Sequence, residues 1–180
     1  MRVVPTALPD VKLIEPQVFG DERGFFFESW NARAFAEAGL PATFVQDNHS
    51  RSVRGVLRGL HYQIEHAQGK LVRAVSGEVF DVVVDMRRSS PSFGRSVGIA
   101  LSAATRQMLW VPPGFAHGFL VLSAHADFVY KTTDYWYPEH ERTLLWSDPA
   151  LGIAWPLSDA PVLAAKDAAG TPLAAADVYP

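Results

Sequence analysis

Short runs in which apolar and polar positions alternate fill most of this chain. Residues 71–75 and 79–85 are rich in valine and other strand formers, and Ser76-Gly77-Glu78 between them reads as a hairpin turn. In the second run Phe80, Val82 and Val84 share one face and Val79, Asp81, Val83 and Asp85 the other, because successive strand side chains point to opposite sides. Asp81 and Asp85 are accordingly expected to meet solvent. Val97, Ile99 and Leu101 alternate with small residues, and segments 108–111, 119–122 and 128–132 read as further strands. Turn clusters at Ser89-Ser90-Pro91-Ser92, Pro112-Pro113-Gly114 and Tyr137-Pro138 divide them. Strands at this spacing predict an all-β sandwich or barrel. One short helix is expected over 32–38, with Asn31 as its N-cap and Gly39 then Pro41 as its stop. A second is expected near 160–165, and the alanine-rich stretch 164–176 is expected to be the least ordered region.

Composition narrows the classes. With 180 residues, one domain over 1–180 can bury a proper core without staples. The lack of cysteine excludes disulfides, thiol nucleophiles and cysteine-based metal centres. No run approaches the ~18 apolar residues of a membrane span, and the start carries no apolar leader segment, so a soluble cytoplasmic protein without a membrane partner is expected. A formal net charge of -3, with both signs mixed along the chain, offers no basic stripe for nucleic acid. An anionic ligand would have to be held by a few placed arginines and lysines.

The chemistry-bearing stretch is Arg54-Gly55-Val56-Leu57-Arg58-Gly59-Leu60-His61-Tyr62-Gln63, followed by Gly69-Lys70-Leu71-Val72-Arg73. A histidine able to take a proton and cations able to hold negative charge suit proton abstraction beside a carbonyl. Taken singly, His61 could be a hydrogen-bonded core residue, and Lys70 and Arg58 could reach solvent. Strict alternation also puts Arg58 and His61 on opposite faces; a bulge at Gly59 would bring them to one side. Pro112-Pro113-Gly114-Phe115-Ala116-His117-Gly118-Phe119 places a second histidine in a turn entering a strand. Tyr130 lies on the Phe128-Tyr130-Thr132 face, where its hydroxyl needs a partner. Arg23, Phe26 and Glu28 fall in a turn and aromatic strand that suits a base plus phosphate, or plain edge packing. His49, His66, His125 and His140 are assigned no role, and Asp167 looks like tail surface charge.

Together these motifs resemble the dTDP-4-dehydrorhamnose 3,5-epimerase family, metal-free members of the cupin superfamily. The match runs from Gly20-Asp21-Glu22-Arg23-Gly24 through Gln46-Asp47-Asn48, the His61 and His117 segments and Tyr130-Lys131-Thr132-Thr133-Asp134-Tyr135, to Asp148-Pro149 and Lys166-Asp167. The resemblance implies a cupin-type jelly-roll β-sandwich with one or two short helices. It also implies a homodimer sharing an N-terminal strand, and a C-terminal tail over 164–180. Metal-binding cupins present a His-x-His pair where this chain has His61-Tyr62-Gln63, so no metal is expected, and no other cofactor.

By position, the resemblance implies His61 as general base, Asp167 as its orienting carboxylate, Tyr130 as acid on the opposite face of the sugar and Lys70 at the enolate oxygen. It implies that Arg23, Phe26, Glu28, Gln46, Asp47, Asn48, Arg58, Lys70, His117, Glu141 and Lys166 meet the nucleotide sugar, some across the dimer. Thymine would stack on Trp136, where the family usually has tyrosine. The implied reaction is epimerisation of dTDP-4-dehydro-6-deoxy-D-glucose at C3 and C5, in dTDP-L-rhamnose biosynthesis. Epimerisation at C3 alone, in a related deoxysugar pathway, and a non-catalytic nucleotide-sugar-binding domain are the alternatives.

Overall fold

The structure is a computed structural model describing residues 1–180. Its strands are β1 (Arg2–Pro5), β2 (Lys12–Glu15), β3 (Val18–Asp21), β4 (Gly24–Phe27), β5 (Gln46–Val53), β6 (Leu57–Gln63) and β7 (Lys70–Ser76). They continue with β8 (Glu78–Asp85), β9 (Ser96–Ser102), β10 (Met108–Val111), β11 (Phe115–Val121), β12 (His125–Thr132) and β13 (Glu141–Thr143). Two short α-helices, α1 (Ala32–Glu37) and α2 (Ala165–Ala168), and 3₁₀ turns at Pro138–His140, Pro149–Leu151 and Leu173–Ala175 complete the regular structure.

The strands form two antiparallel sheets in the orders β1-β2-β10-β7-β12-β5 and β13-β6-β11-β8-β9, with β3-β4 as a separate hairpin. This is the jelly-roll sandwich that the sequence led us to expect. Between the sheets, Val72, Leu109 and Phe128 of the first meet Val79, Val83, Leu101 and Phe119 of the second, all buried. Each such side chain stabilises the sandwich by roughly 1.5–3 kcal/mol relative to exposure.

Three sequence expectations change. Ser76-Gly77-Glu78 does not close a hairpin: β7 pairs β10 and β12, while β8 pairs β11 and β9. Gly77, at φ +71°, turns a corner between sheets, which uses the same residue chemistry as a tight turn. Asp81 and Asp85 are fully buried rather than solvated. Their face of β8 looks into the sandwich, and the opposite face, with Val82 and Val84, packs against Leu144, Leu151, Trp155 and Tyr179. Strands covered on both sides leave no solvent face for a carboxylate.

The C-terminal segment supplies that cover. Leu145 N donates to Thr171 O at 2.9 Å, Tyr179 N to Met86 O at 3.0 Å, and Tyr62 Oη to Asp177 O at 2.6 Å. The tail is therefore tied down, and its helix begins at Ala165 rather than over 160–165. α1 follows the sequence closely: Asn31 accepts from Ala34 N, and Phe35 is buried beside Ile14, Leu71 and Trp110 on the outer face of the six-stranded sheet.

Candidate active site

A cavity of about 400 Å³ opens where the two sheets diverge. β5 and β12 line it from one sheet, β6, β11 and β13 from the other, and Lys70 stands at the start of β7. The arrangement depends on a local irregularity in β6. Against β11 the register steps from His117 opposite His61 to Phe119 opposite Arg58, so three steps along β6 face two along β11. The extra residue resets the alternation, and Arg58 and His61 both line the cavity. Gly59 sits at the irregularity with φ +113°, and a Cβ there would lie 2.7 Å from Gly118 Cα and His117 O. Only glycine fits such an approach.

His61 Nε2 pairs with Asp167 Oδ1 at 2.6 Å, and the carboxylate is only 2% exposed. The tail reaches this position because Val162 bridges Val56 in parallel and accepts from Leu57 N at 3.0 Å, laying the following helix beside β6. With the Nε2–H donated to Asp167, Nδ1 carries the lone pair that can take a proton.

Lys70 is buried, which pushes its ammonium down to about 8, while Glu141 and Asp81 pull it back upward. Burial raises the Tyr130 hydroxyl above the ordinary tyrosine range, and the charge of Glu141 raises it further. A tyrosine so placed stays protonated and can donate. Burial pushes Glu141 upward, but the Lys166 ammonium at 2.8 Å and the nearby His61 more than offset it, so its carboxyl lies below the usual range. Beneath the cavity, His117 Nε2 lies 3.0 and 2.9 Å from the two carboxylate oxygens of Asp81, both residues buried. Burial raises Asp81 despite the pull of His117 and Lys70. No group of three or more His, Asp or Glu side chains is arranged to hold a metal ion.

Of the residues singled out in the sequence, Gln46, Asn48, Arg58, His61, Lys70, His117, Tyr130, Trp136, Glu141, Lys166 and Asp167 line this one cavity. Asp47 does not: it borders a neighbouring cleft of about 340 Å³ and pairs with Lys131 at 2.6 Å. Alternation along β5 separates it from Gln46 and Asn48. Arg23 and Phe26 lie on the β3-β4 hairpin in a third cleft, and Glu28 accepts from Asn31 Nδ2 at 3.0 Å. Within one chain, these three are not joined to the cavity.

The arrangement of a histidine–carboxylate pair, a buried ammonium and a proton-donating tyrosine around one cavity is suited to moving protons beside an anion. The family profile described as dTDP-4-dehydrorhamnose 3,5-epimerase matches residues 5–175. The chain belongs to the dTDP-4-dehydrorhamnose 3,5-epimerase family. It is 65% identical over 181 residues to the dTDP-4-dehydrorhamnose 3,5-epimerase of Pseudomonas aeruginosa, covering 100% of both chains. It is 60% identical over 171 residues to the enzyme of that name from Salmonella typhimurium, covering 94% of this chain and 93% of that one. A solved structure of dTDP-6-deoxy-D-glucose-3,5-epimerase from Legionella pneumophila Philadelphia 1, in complex with dTDP-4-keto-L-rhamnose, superposes with a TM-score of 0.95 at 52% identity. The match covers 98% of this chain and 94% of that one.

In this epimerase-family chain the cavity also includes residues that sequence reasoning passed over. His49, Ser50 and Gln68 border it, and Ser52 accepts from Arg58 Nε at 3.0 Å. Ser50 and Ser52 continue the inward face of β5 begun by Gln46 and Asn48, so the period-2 pattern was an available signal. Asp81 left no such signal, because alternation shows which residues share its face of β8 but not that this face turns into the sandwich.

Proposed function

We propose that this chain inverts C3 and C5 of dTDP-4-dehydro-6-deoxy-D-glucose, beside the C4 ketone, giving dTDP-4-dehydro-L-rhamnose. The carrying observation is the convergence of the His61–Asp167 pair, Lys70 and Tyr130 on one cavity. Each inversion removes a proton from one face of the ring and returns one to the other. His61 takes the proton through Nδ1, and Asp167 orients the ring and stabilises the imidazolium. Lys70 holds the enolate oxygen at C4, where a buried cation is worth more than in water. Tyr130 delivers a proton from the opposite face. General acid and base each contribute on the order of 10²- to 10⁴-fold. No electrons are exchanged, so the chemistry calls for no redox cofactor.

Gln46, Asn48, Arg58, His117, Glu141 and Lys166 surround the space left for the nucleotide, with Trp136 offering a flat face to the thymine. Residues 1–180 act as one epimerase domain, in the cytoplasm, with no nucleic-acid or membrane partner. The working unit is a homodimer in which the β3-β4 hairpin carries Arg23, Phe26 and Glu28 towards the partner's cavity. Exposure of Phe19, Phe25 and Phe26, at 60, 59 and 67%, supports this: three large aromatic residues on one isolated hairpin call for cover.

The test is proton NMR of dTDP-4-keto-6-deoxy-D-glucose incubated with the protein in D₂O. Deuterium entering at both C3 and C5, with the product trapped by a rhamnose-forming reductase, supports the proposal. Entry at C3 alone points to a C3 epimerase, and no entry to a binding domain.

A further inference from the structure

Gln63 is 3% exposed at the end of β6, two residues beyond His61, yet it does not line the cavity. Its amide is fully employed. Nε2 donates to Tyr135 O at 3.2 Å and to His66 O at 2.8 Å, and Oε1 accepts from Tyr137 N at 2.8 Å. The backbone is thus gripped on both sides of Trp136. The remaining link is Trp136 N itself, which donates to Oε1 of Gln46 at 3.1 Å. Two glutamine side chains therefore hold three consecutive residues of the β12–β13 connection. Trp136 is 54% exposed, and its side chain donates a hydrogen bond to the Glu141 carboxylate, so the backbone grip is what holds the loop beneath that contact.

The surrounding loops share the tie. Gln68 Nε2 donates to Asp134 O at 2.9 Å, Thr133 N donates to Gly69 O at 3.0 Å, and the His66 ring stacks on Tyr137 at 4.2 Å. Gln63 stands at the centre of these links because one amide, at the end of β6, reaches His66 in the 64–69 segment and both Tyr135 and Tyr137 in the other. An aromatic platform on a loop holds a base well only when its orientation is set beforehand, since ordering it at binding costs affinity.

We infer that Gln63 is a positioning residue for nucleotide recognition, clamping the Trp136 loop so that the indole presents a fixed face to the base. The inference rests on the reading above that Trp136 meets the thymine. It assigns Gln63 to affinity for the nucleotide rather than to proton transfer at the sugar.

The experiment is a double-mutant cycle read by calorimetric titration with dTDP alone, with kcat and KM measured on the keto-sugar. Gln63→Met keeps the volume and removes every hydrogen bond, and should weaken dTDP about tenfold, the equivalent of about 1.4 kcal/mol. KM should rise to a similar degree while kcat falls less than about threefold, the pattern of lost uniform binding. Trp136→Ala should also weaken dTDP by about tenfold or more, through lost stacking. In the Trp136→Ala background, Gln63→Met should add less than about twofold, because residues acting through one another are not additive. An undiminished Gln63 effect in that background, or a kcat loss as large as the KM rise, overturns the clamp. If Trp136→Ala binds dTDP normally, the stacking reading fails and the clamp falls with it; if Trp136→Ala weakens binding and Gln63→Met does not, the clamp alone falls. Should Gln63→Met not fold, Gln63→Glu keeps the acceptor for Tyr137 N, loses the donated bonds, and carries the same comparison.

Discussion

Asp167 Oδ1 lies 2.6 Å from His61 Nε2, joining two residues 106 positions apart in the chain. The carboxylate is buried and the imidazole only partly so, which leaves one face of the ring open to the cavity. A buried acceptor of this kind fixes the ring's tautomer and orientation and stabilises the cation formed on proton uptake. Asp167→Asn should lower kcat by roughly 10²-fold with little change in KM, and His61→Ala should cost more, within the on-the-order-of 10²- to 10⁴-fold range of acid–base catalysis. Steady-state kinetics of the two purified variants checks the order; equal rates for Asp167→Asn and the parent chain would remove the tail from the mechanism.

Tyr130 and His61 should separate when exchange and inversion are followed independently. Tyr130→Phe removes the donor but leaves the base and Lys70 in place. It should therefore still wash deuterium into the substrate from D₂O, returned on the face from which the proton left, while forming epimer at least about 100-fold more slowly. NMR integration of the exchanged positions against product signals measures both. Parallel loss of the two would show that Tyr130 is needed for proton removal as well.

Lys70 links the reaction to pH. Its ammonium, brought down to about 8 by burial, is cationic below that value and neutral above it. As pH rises through about 8, kcat/KM should fall as the enolate loses its counter-charge. Lys70→Met should lower the rate on the order of 10²- to 10³-fold and abolish that alkaline limb. The stability sign is opposite. Because the unfolded chain holds its Lys70 proton up to about 10.4, it binds more protons than the folded chain between about 8 and 10.4, so stability rises with pH across that window as the cost of burying the ammonium is relieved. Urea midpoints at matched pH distinguish loss of activity from loss of fold.

Asp85 should govern acid stability. It is fully buried and accepts from Arg87 Nε and Nη2 at 2.9 and 2.7 Å, from Ser90 Oγ at 2.6 Å and from Ser92 Oγ at 2.7 Å. Burial acts to raise its carboxyl, but these donors outweigh it and hold the group at about 2. Stability from this site is present above the unfolded value near 3.9 and is lost as pH falls through about 2. Asp85→Asn should cost roughly 3 kcal/mol at neutral pH, by removing the charge that Arg87, Ser90 and Ser92 share and leaving Arg87 with the exposed Asp10, at 2.8 Å, as its remaining carboxylate, and should flatten the acid limb of unfolding followed by circular dichroism.

The strands, the capped helix and the motif-borne His61, His117 and Tyr130 could be read directly from the chain, because alternation and turn chemistry are written in neighbouring residues. The bulge was also legible, as a glycine between two residues that alternation would otherwise have parted. Assembly settled the remainder. Gly77 turns between sheets rather than within one, a choice made by distant pairing partners with the same local residues. Asp81 and Asp85 became interior because their face of β8 turns towards the six-stranded sheet, and the alanine-rich tail became ordered by closing over the outer face of β8 and β6. The same closure brings Asp167 to His61. Strand pattern depends on near neighbours, whereas burial and the meeting of charges depend on which remote segment covers a face, and that is defined only when the whole chain has packed.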